Sequence, residues 1–306
     1  MSVFNAYMAL SGAFEADVLR DERLSHHTTY RIGGPAALMV TAHSYKALLK
    51  TIDILRKEGV EWVVMGRGSN ILVADEGYDG CVIKLGKEFS RISFEGDTVS
   101  AGGGAILSKL VSETISHSLS GLEFCVGIPG TVGGAVSMDA GTRHDWIGSR
   151  VHHVVTLRPQ GGLQRYEASD IEWGYRWCSI PTDEIILEAT FQLTPAEKRR
   201  ITDEMERLIS RRRSRQPMGK PSCGSVFKNP GDRSVGQLID SCGLKGYRVG
   251  NAEVSTQHAN FIVNLGGASA SDVIAVMGHV HDAVLEKYSI NLQPEVKCLG
   301  FDKRRA

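Results

Sequence analysis

Three clusters of glycine between residues 66 and 134 constrain this chain more than any other feature. They read Gly66-Arg67-Gly68-Ser69-Asn70, Gly102-Gly103-Gly104 and Gly127-Ile128-Pro129-Gly130-Thr131-Val132-Gly133-Gly134. Glycine lets a backbone turn sharply or approach a ligand closely. One such cluster is as easily a plain turn. Three in one region point to loops shaped around something bound.

Short α and β signals separate the clusters. Leu48, Leu49, Ile52 and Leu55 share a helix face that Gly59 can end. Residues 62–65, 71–73 and 81–85 read as strands, giving a first α/β lobe. Ile106, Leu107, Leu110, Val111 and Ile115 mark a second amphipathic helix, and strands follow at 151–157, 163–167 and 185–193. From Pro195 a helix is expected to run to about residue 213, with Ile201, Met205, Leu208 and Ile209 on one face. Its basic side (Arg199, Arg200, Arg207, Arg211, Arg212, Arg213) reads first as a solvated face. The competing reading lets its last turn and Lys220 meet a substrate phosphate. Beyond it a small α/β domain is expected, with strands at 225–228, 252–255, 261–264 and 295–299 and helices at 234–241 and 271–288. The fold class is therefore α+β, divided as 1–195 (lobes of about 1–85 and 86–195) and 196–306.

Bulk properties remove several functions. Lys plus Arg and Asp plus Glu are both 35, so the net charge is zero and no global field draws the chain to nucleic acid or an anionic membrane. No apolar run approaches the roughly 18 residues of a membrane span. The first twenty residues carry Glu15 and Asp17 and lack the pattern of a signal peptide. The six cysteines are scattered, without a CxxC pair, so reduced thiols and a cytoplasmic setting are expected and a zinc site is not.

The common nucleotide motifs are absent: no P-loop occurs, and neither Gly66-Arg67-Gly68 nor Gly102-Gly103-Gly104 has the third glycine of a Rossmann fingerprint. Glycine loops rich in exposed N–H groups still suit a pyrophosphate, with Ser69, Asn70 and Thr131 adding side-chain donors. Three further segments can carry chemistry. Trp173-Gly174-Tyr175-Arg176 offers a planar guanidinium for a carboxylate or enolate. Pro221-Ser222-Cys223-Gly224-Ser225-Val226-Phe227-Lys228-Asn229-Pro230 places a small serine after a glycine, and Pro294-Glu295-Val296-Lys297 holds a lone acid. Taken singly, each is more often structural.

Together these segments resemble the UDP-N-acetylenolpyruvoylglucosamine reductase (UDP-N-acetylmuramate dehydrogenase) family. The likeness runs in the family's order from Thr28-Thr29-Tyr30-Arg31-Ile32-Gly33-Gly34 through Gly68-Ser69-Asn70, Gly121-Leu122-Glu123, Gly127–Ala135, Tyr175-Arg176, Gly224–Pro230 and His258-Ala259-Asn260-Phe261 to Pro294-Glu295-Val296. The length is similar to the shorter of the family's two subtypes. The resemblance implies a two-lobed FAD-binding domain of the vanillyl-alcohol-oxidase (PCMH) type, holding FAD non-covalently, plus a smaller substrate-binding domain. It implies reduction of the flavin by NADPH and hydride transfer to the enolpyruvyl ether of UDP-N-acetylglucosamine. The product is UDP-N-acetylmuramate, a peptidoglycan precursor, and the enzyme is taken as a monomer.

By the family's motifs, Arg176 and Glu295 face the charge that develops at C2, and Ser225 protonates that carbon as general acid. Glu295 can donate only if its pKa is raised. Tyr175, Lys228 and Asn229 fall to the substrate, and Gly66, Arg67, Gly68, Ser69, Asn70, Gly103, Gly127, Ile128, Pro129, Gly130, Thr131, Gly133 and Gly134 to the cofactor. No metal is implied. The chain departs from the family pattern at Met138-Asp139-Ala140-Gly141-Thr142-Arg143-His144, at Cys178 and at Gly250-Asn251-Ala252. Two other functions compete: a different flavin oxidoreductase on the same cofactor domain, and a non-catalytic nucleotide-sugar or flavin binder. The His258-Ala259-Asn260 and Glu295 matches argue against the first, and the joint presence of Arg176, Ser225 and Glu295 against the second.

Overall fold

The computed structural model describes residues 2–12, 15–142 and 144–301. Arg143, in the stretch that departs from the family pattern, lies outside the described residues. Contacts divide the chain into two compact units. The first comprises the chain up to Arg20, Leu38–Gly66 and Gly80–Arg212; the second comprises Asp21–Ala37, Arg67–Asp79 and the chain from Arg213 onward.

The first unit has two larger sheets. One has the order Ala16–Arg23, Pro35–Ala42, Tyr78–Leu85, Trp62–Val64, with the last two strands parallel. Helix Tyr45–Glu58 packs its apolar face into the core of that lobe. Ser44 Oγ caps its start by accepting from the Ala47 N–H, and Gly59 ends it in the left-handed conformation (φ +64°). Leu48, Ile52 and Leu55 are buried with Leu38, Val40 and Ile83; each buried leucine contributes roughly 1.5–3 kcal/mol. The helix expected from Leu48 to Leu55 is therefore present. Helix Val3–Leu10 and the first two strands of that sheet lacked a clear periodic signal.

The second sheet of this unit is antiparallel throughout, in the order Leu163–Glu167, Val151–Leu157, Ile185–Gln192, Thr98–Gly102, Ile92–Glu95. Its buried residues, among them Val99, Val154, Ala189 and Phe191, form one core with Leu107, Leu110 and Val111 of helix Leu107–Ser116 and with Val132, Ala135 and Val136. The basic helix runs Lys198–Arg215. Among the described residues of that helix only Ile201 is fully buried, while Met205 packs against the core from a partly exposed position.

The second unit holds an antiparallel sheet, Arg248–Val249, Ala252–Val254 and Ile262–Asn264. Helices Val235–Ser241 and Ala270–Tyr288 pack with it around Val254, Ile262, Val273, Val276 and Val280. Ser269 and Asp272 close a capping box at the start of the long helix. Ile71–Val73, expected among the strands of the first lobe, instead pairs in parallel with Lys297–Leu299. A three-residue strand carries no local sign of its partner.

The strand expected at 225–228 is an extended segment with a single bridge, Phe227 to Pro294. A side chain stands in for the missing neighbour. Asn260 Oδ1 accepts from the Phe227 N–H at 3.0 Å, and Asn260 Nδ2 donates to the Phe227 carbonyl at 2.9 Å. Asn260 is itself buried (4% exposed), so this pairing satisfies three polar groups away from water.

Candidate active site

The glycine clusters of the first unit pack backbone to backbone. Gly133 N–H donates to the Gly103 carbonyl at 2.9 Å, and Gly103 N–H donates to the Leu187 carbonyl at 2.6 Å. A Cβ on Gly103 would come within 2.0 Å of the Ile186 carbonyl oxygen, so only glycine fits. Part of this glycine pattern therefore builds the scaffold itself. Gly66 is crowded differently: a Cβ there would lie 2.4 Å from Thr131 Oγ1. That hydroxyl accepts from the Gly134 N–H as the N-cap of the short helix Val132–Ser137. The N–H groups of Gly66, Gly127 and Gly130 meet no protein acceptor among the described residues. Such unengaged donors are what an anionic group needs. The boundary between the units falls between Gly66 and Arg67, so Arg67, Gly68, Ser69 and Asn70 belong to the second.

Arg176 sits at the tip of a hairpin. Trp173–Gly174 pairs with Trp177–Cys178, and Tyr175-Arg176 is the two-residue turn between them. Arg176 has φ +63°, the left-handed region that residues other than glycine uncommonly occupy. Backbone strain of this kind persists only where the surroundings hold it. The guanidinium lies over the Tyr175 ring, 5.0 Å from its centroid, and Tyr175 is 51% exposed. Cys178 is buried and its Sγ donates to the Ser137 carbonyl at 3.8 Å, which anchors the base of the hairpin.

Two charged neighbours of Arg176 were not marked as its partners by the sequence. Asp139 is buried with a positive φ of 41°, and its Oδ1 accepts from the Gly148 N–H at 3.0 Å. Burial raises its pKa above the ordinary carboxylate value, while the Gly148 bond and the charge of Arg176 pull the other way. Arg212, on the last turns of the basic helix, is half-buried. Burial first, and Arg176 second, hold its pKa below the usual arginine value. Among the described residues no carboxylate pairs with it. The like charge of Arg176 beside Arg212 is one that an anion next to either guanidinium would offset.

Ser225 and Glu295 lie in the second unit. Ser225 is half-buried, directly before Val226 and Phe227, both buried. The Val226 carbonyl accepts from the Glu295 N–H at 2.7 Å, so the serine and glutamate segments run side by side. Asn70 joins this arrangement. Its Nδ2 donates to the Glu295 carbonyl at 3.0 Å, and its own carbonyl accepts from the Lys297 N–H at 3.0 Å. An expected cofactor residue thus also fixes the backbone that carries Glu295. The Glu295 Oε2 atom is sealed from solvent. Behind this segment lies Cys223, whose thiol is pushed up to about 12, chiefly by burial and further by the nearby Glu295 charge. The Tyr30 hydroxyl faces that thiol without a well-angled hydrogen bond.

Lys228 is half-buried, and its N–H donates to the Gln293 carbonyl at 2.9 Å. Asn229 is exposed, but its Oδ1 accepts from the Val235 N–H at 3.0 Å, an engagement its sequence position did not foretell. The structure therefore gathers Asn70, Ser225, Lys228, Asn229 and Glu295 in one unit. It places Gly66, Gly103, Gly127–Gly134, Tyr175 and Arg176 in the other.

Known proteins resemble the chain over nearly its whole length. Residues 36–165 match the FAD binding domain, and residues 216–299 match UDP-N-acetylenolpyruvoylglucosamine reductase, C-terminal domain. The chain is 41% identical over 285 residues to the UDP-N-acetylenolpyruvoylglucosamine reductase of Halalkalibacterium halodurans, covering 93% of this chain and 95% of that protein. It is 40% identical over 288 residues to the reductase of the same name from Bacillus subtilis, covering 94% and 95%. The crystal structure of the Thermus caldophilus UDP-N-acetylenolpyruvylglucosamine reductase superposes with a TM-score of 0.80 at 35% identity, covering 93% of this chain and 98% of that one. An FAD-binding domain of mixed α and β structure, followed by a second and smaller domain, is thus as expected from the sequence.

Proposed function

Because the chain belongs to the UDP-N-acetylenolpyruvoylglucosamine reductase family, we propose that it reduces the enolpyruvyl ether of UDP-N-acetylglucosamine to UDP-N-acetylmuramate, supplying peptidoglycan synthesis. The observation that carries this reading is identity of 41% across 93% of the chain, together with family matches over 36–165 and 216–299, which hold the glycine loops and the Ser225 and Glu295 segments. We assign residues 1–195 (lobes of about 1–85 and 86–195) to FAD binding and 196–306 to the substrate.

The residues fit non-covalent FAD. The Gly66, Gly127 and Gly130 N–H groups offer donors to a pyrophosphate, and neither Gly66 nor Gly103 has room for a side chain. None of Gly66, Arg67, Gly68, Ser69, Asn70, Gly103 or residues 127–134 carries an imidazole or thiol that could bond a flavin. FAD, when bound, supplies hydride transfer from NADPH to the substrate.

The chain's own groups supply the rest. Arg176, a fixed cation on a strained turn, stabilises the charge that develops on the substrate carboxylate and its C2 carbon. Glu295, with one oxygen sealed from water, supports the same charge as a hydrogen-bond donor in its protonated form. Ser225 holds the proton delivered to C2. Lys228 is assigned to the diphosphate, with Asn229 and Tyr175 flanking the substrate. The protein acts as a cytoplasmic monomer in this reading. Among the described residues no helix is long and apolar enough to cross a membrane.

The test is NADPH oxidation by the FAD-loaded chain with and without the enolpyruvyl UDP-sugar. Oxidation that requires the sugar, with UDP-N-acetylmuramate as product, is expected. A protein that takes up no FAD, or oxidises NADPH equally without the sugar, would overturn the assignment.

A further inference from the structure

On the five-stranded sheet of the first unit, two adjacent histidines with no role in the proposed reaction share one side of strand Val151–Leu157. Neighbouring strand residues normally point to opposite faces. Here the pairing with Ile185–Gln192 slips by one residue between Thr190 and Phe191, which makes His152 the extra residue of a bulge. The bulge turns His152 toward His153, and their Nδ1 atoms lie 3.0 Å apart. Glu167 stands directly opposite His153 on the paired edge strand. The ligand atoms of all three side chains lie within 4.8 Å of one another, and His152 and Glu167 are exposed.

The far side of the His153 ring is held as well. Its Nε2 is 3.2 Å from Thr190 Oγ1, which is 2.7 Å from Ser100 Oγ. With Thr190 donating to Ser100, it accepts from His153 Nε2–H, and the Nδ1 lone pair then faces His152 and Glu167. Orientation of a histidine by a partner on its other nitrogen is the common support of a metal ligand. One group opposes: Arg165 Nε lies 2.6 Å from Glu167 Oε1 and competes for the carboxylate. A tetrahedral ion bound at about 2.1 Å sets its donors about 3.4 Å apart, within reach of small rotamer changes.

We propose that His152, His153 and Glu167 bind a first-row divalent cation of the Zn²⁺ class, with water completing the coordination. Two imidazoles and one carboxylate suit Zn²⁺, Co²⁺ and Ni²⁺, and not the all-oxygen shells of Mg²⁺ or Ca²⁺. The ion ties the edge strand Leu163–Glu167 to its neighbour and so stabilises the folded chain.

The experiment titrates the untagged, FAD-loaded chain with Zn²⁺ against a chromophoric chelator, beside a His152→Gln/His153→Gln double variant. One Zn²⁺ equivalent present in the wild type and lost in the variant is expected, along with a thermal midpoint that Zn²⁺ raises only in the wild type. Thr190→Val is expected to weaken binding by about 10–100-fold through the ring orientation, and Glu167→Gln, which removes a direct ligand, by at least as much. Arg165→Gln is expected to tighten it, since the competing cation is gone. Equal stoichiometry and affinity in wild type and double variant would overturn the site, and weaker binding in Arg165→Gln would overturn the role given to Glu167. Matching midpoints of the metal-free proteins verify that the variants fold.

Discussion

The side-chain amide of Asn70 donates to the backbone carbonyl of Glu295 at 3.0 Å, across 225 residues of chain. The same residue's carbonyl accepts from Lys297 N–H. A loop expected to serve the cofactor therefore also holds the backbone that carries Glu295, to which the proposed function gives a catalytic role. Asn70→Ala should lower kcat about tenfold with FAD saturating, the kinetic equivalent of about 1.4 kcal/mol. An unchanged kcat with weakened FAD retention would show that Asn70 acts through the cofactor alone.

Ser225→Ala should leave reduction of the flavin by NADPH near normal and slow the oxidative half-reaction severely, since only that half needs a proton at C2. Stopped-flow measurement of the two halves separates them. An equal fall in both would make Ser225 structural.

Arg212 is half-buried with Arg176 as a like-charged neighbour and no carboxylate partner among the described residues. Its neutral replacement Arg212→Met should raise the thermal midpoint and raise the KM for the UDP-sugar at the same time. Opposite movement of stability and affinity is the mark of a charge kept for binding. Loss of both together would mean that Arg212 is a packing residue.

Asp139 has its pKa raised above 3.8 in the folded protein, chiefly by burial. A raised acid contributes stability below its unfolded pKa and loses it as pH rises through the folded value. Asp139→Asn keeps the acceptor for Gly148 N–H and removes the ionisation. The variant should gain on the wild type as pH rises from the ordinary aspartate pKa of about 3.9 through the raised folded value. Chemical denaturation across that range checks it, and a constant difference would sink the argument.

Tyr30 is fully buried, and among the described residues its hydroxyl has no well-formed hydrogen bond, with the Cys223 thiol beside it. A buried hydroxyl left so poorly satisfied costs about 1–3 kcal/mol. Tyr30→Phe should therefore stabilise the protein by about 1 kcal/mol in urea unfolding. A loss of stability would show that the hydroxyl is held by something stronger than the thiol.

The sequence determined everything that depends on local pattern. Helix Tyr45–Glu58 was readable because Leu48, Ile52 and Leu55 recur at helical spacing and Gly59 supplies the left-handed cap. Three strands of the antiparallel sheet in the first unit, at 151–157, 163–167 and 185–193, were readable from their apolar residues, whereas Ile92–Glu95 and Thr98–Gly102 were not. The order of the motifs identified the family, since residue identity and order survive without coordinates. Tertiary structure decided the rest, because the forces concerned act between residues remote in sequence. Ile71–Val73 has no local mark that its partner is Lys297–Leu299. The segment bearing Ser225 looks like a strand, yet its neighbour is the amide of Asn260, 33 residues from Phe227. The charges around Arg176 arise because burial brings Asp139 and Arg212 near it and removes the water that would screen them. The glycine clusters show both sides: their spacing announced close approach, and only the fold showed that Gly103 and Gly133 approach each other.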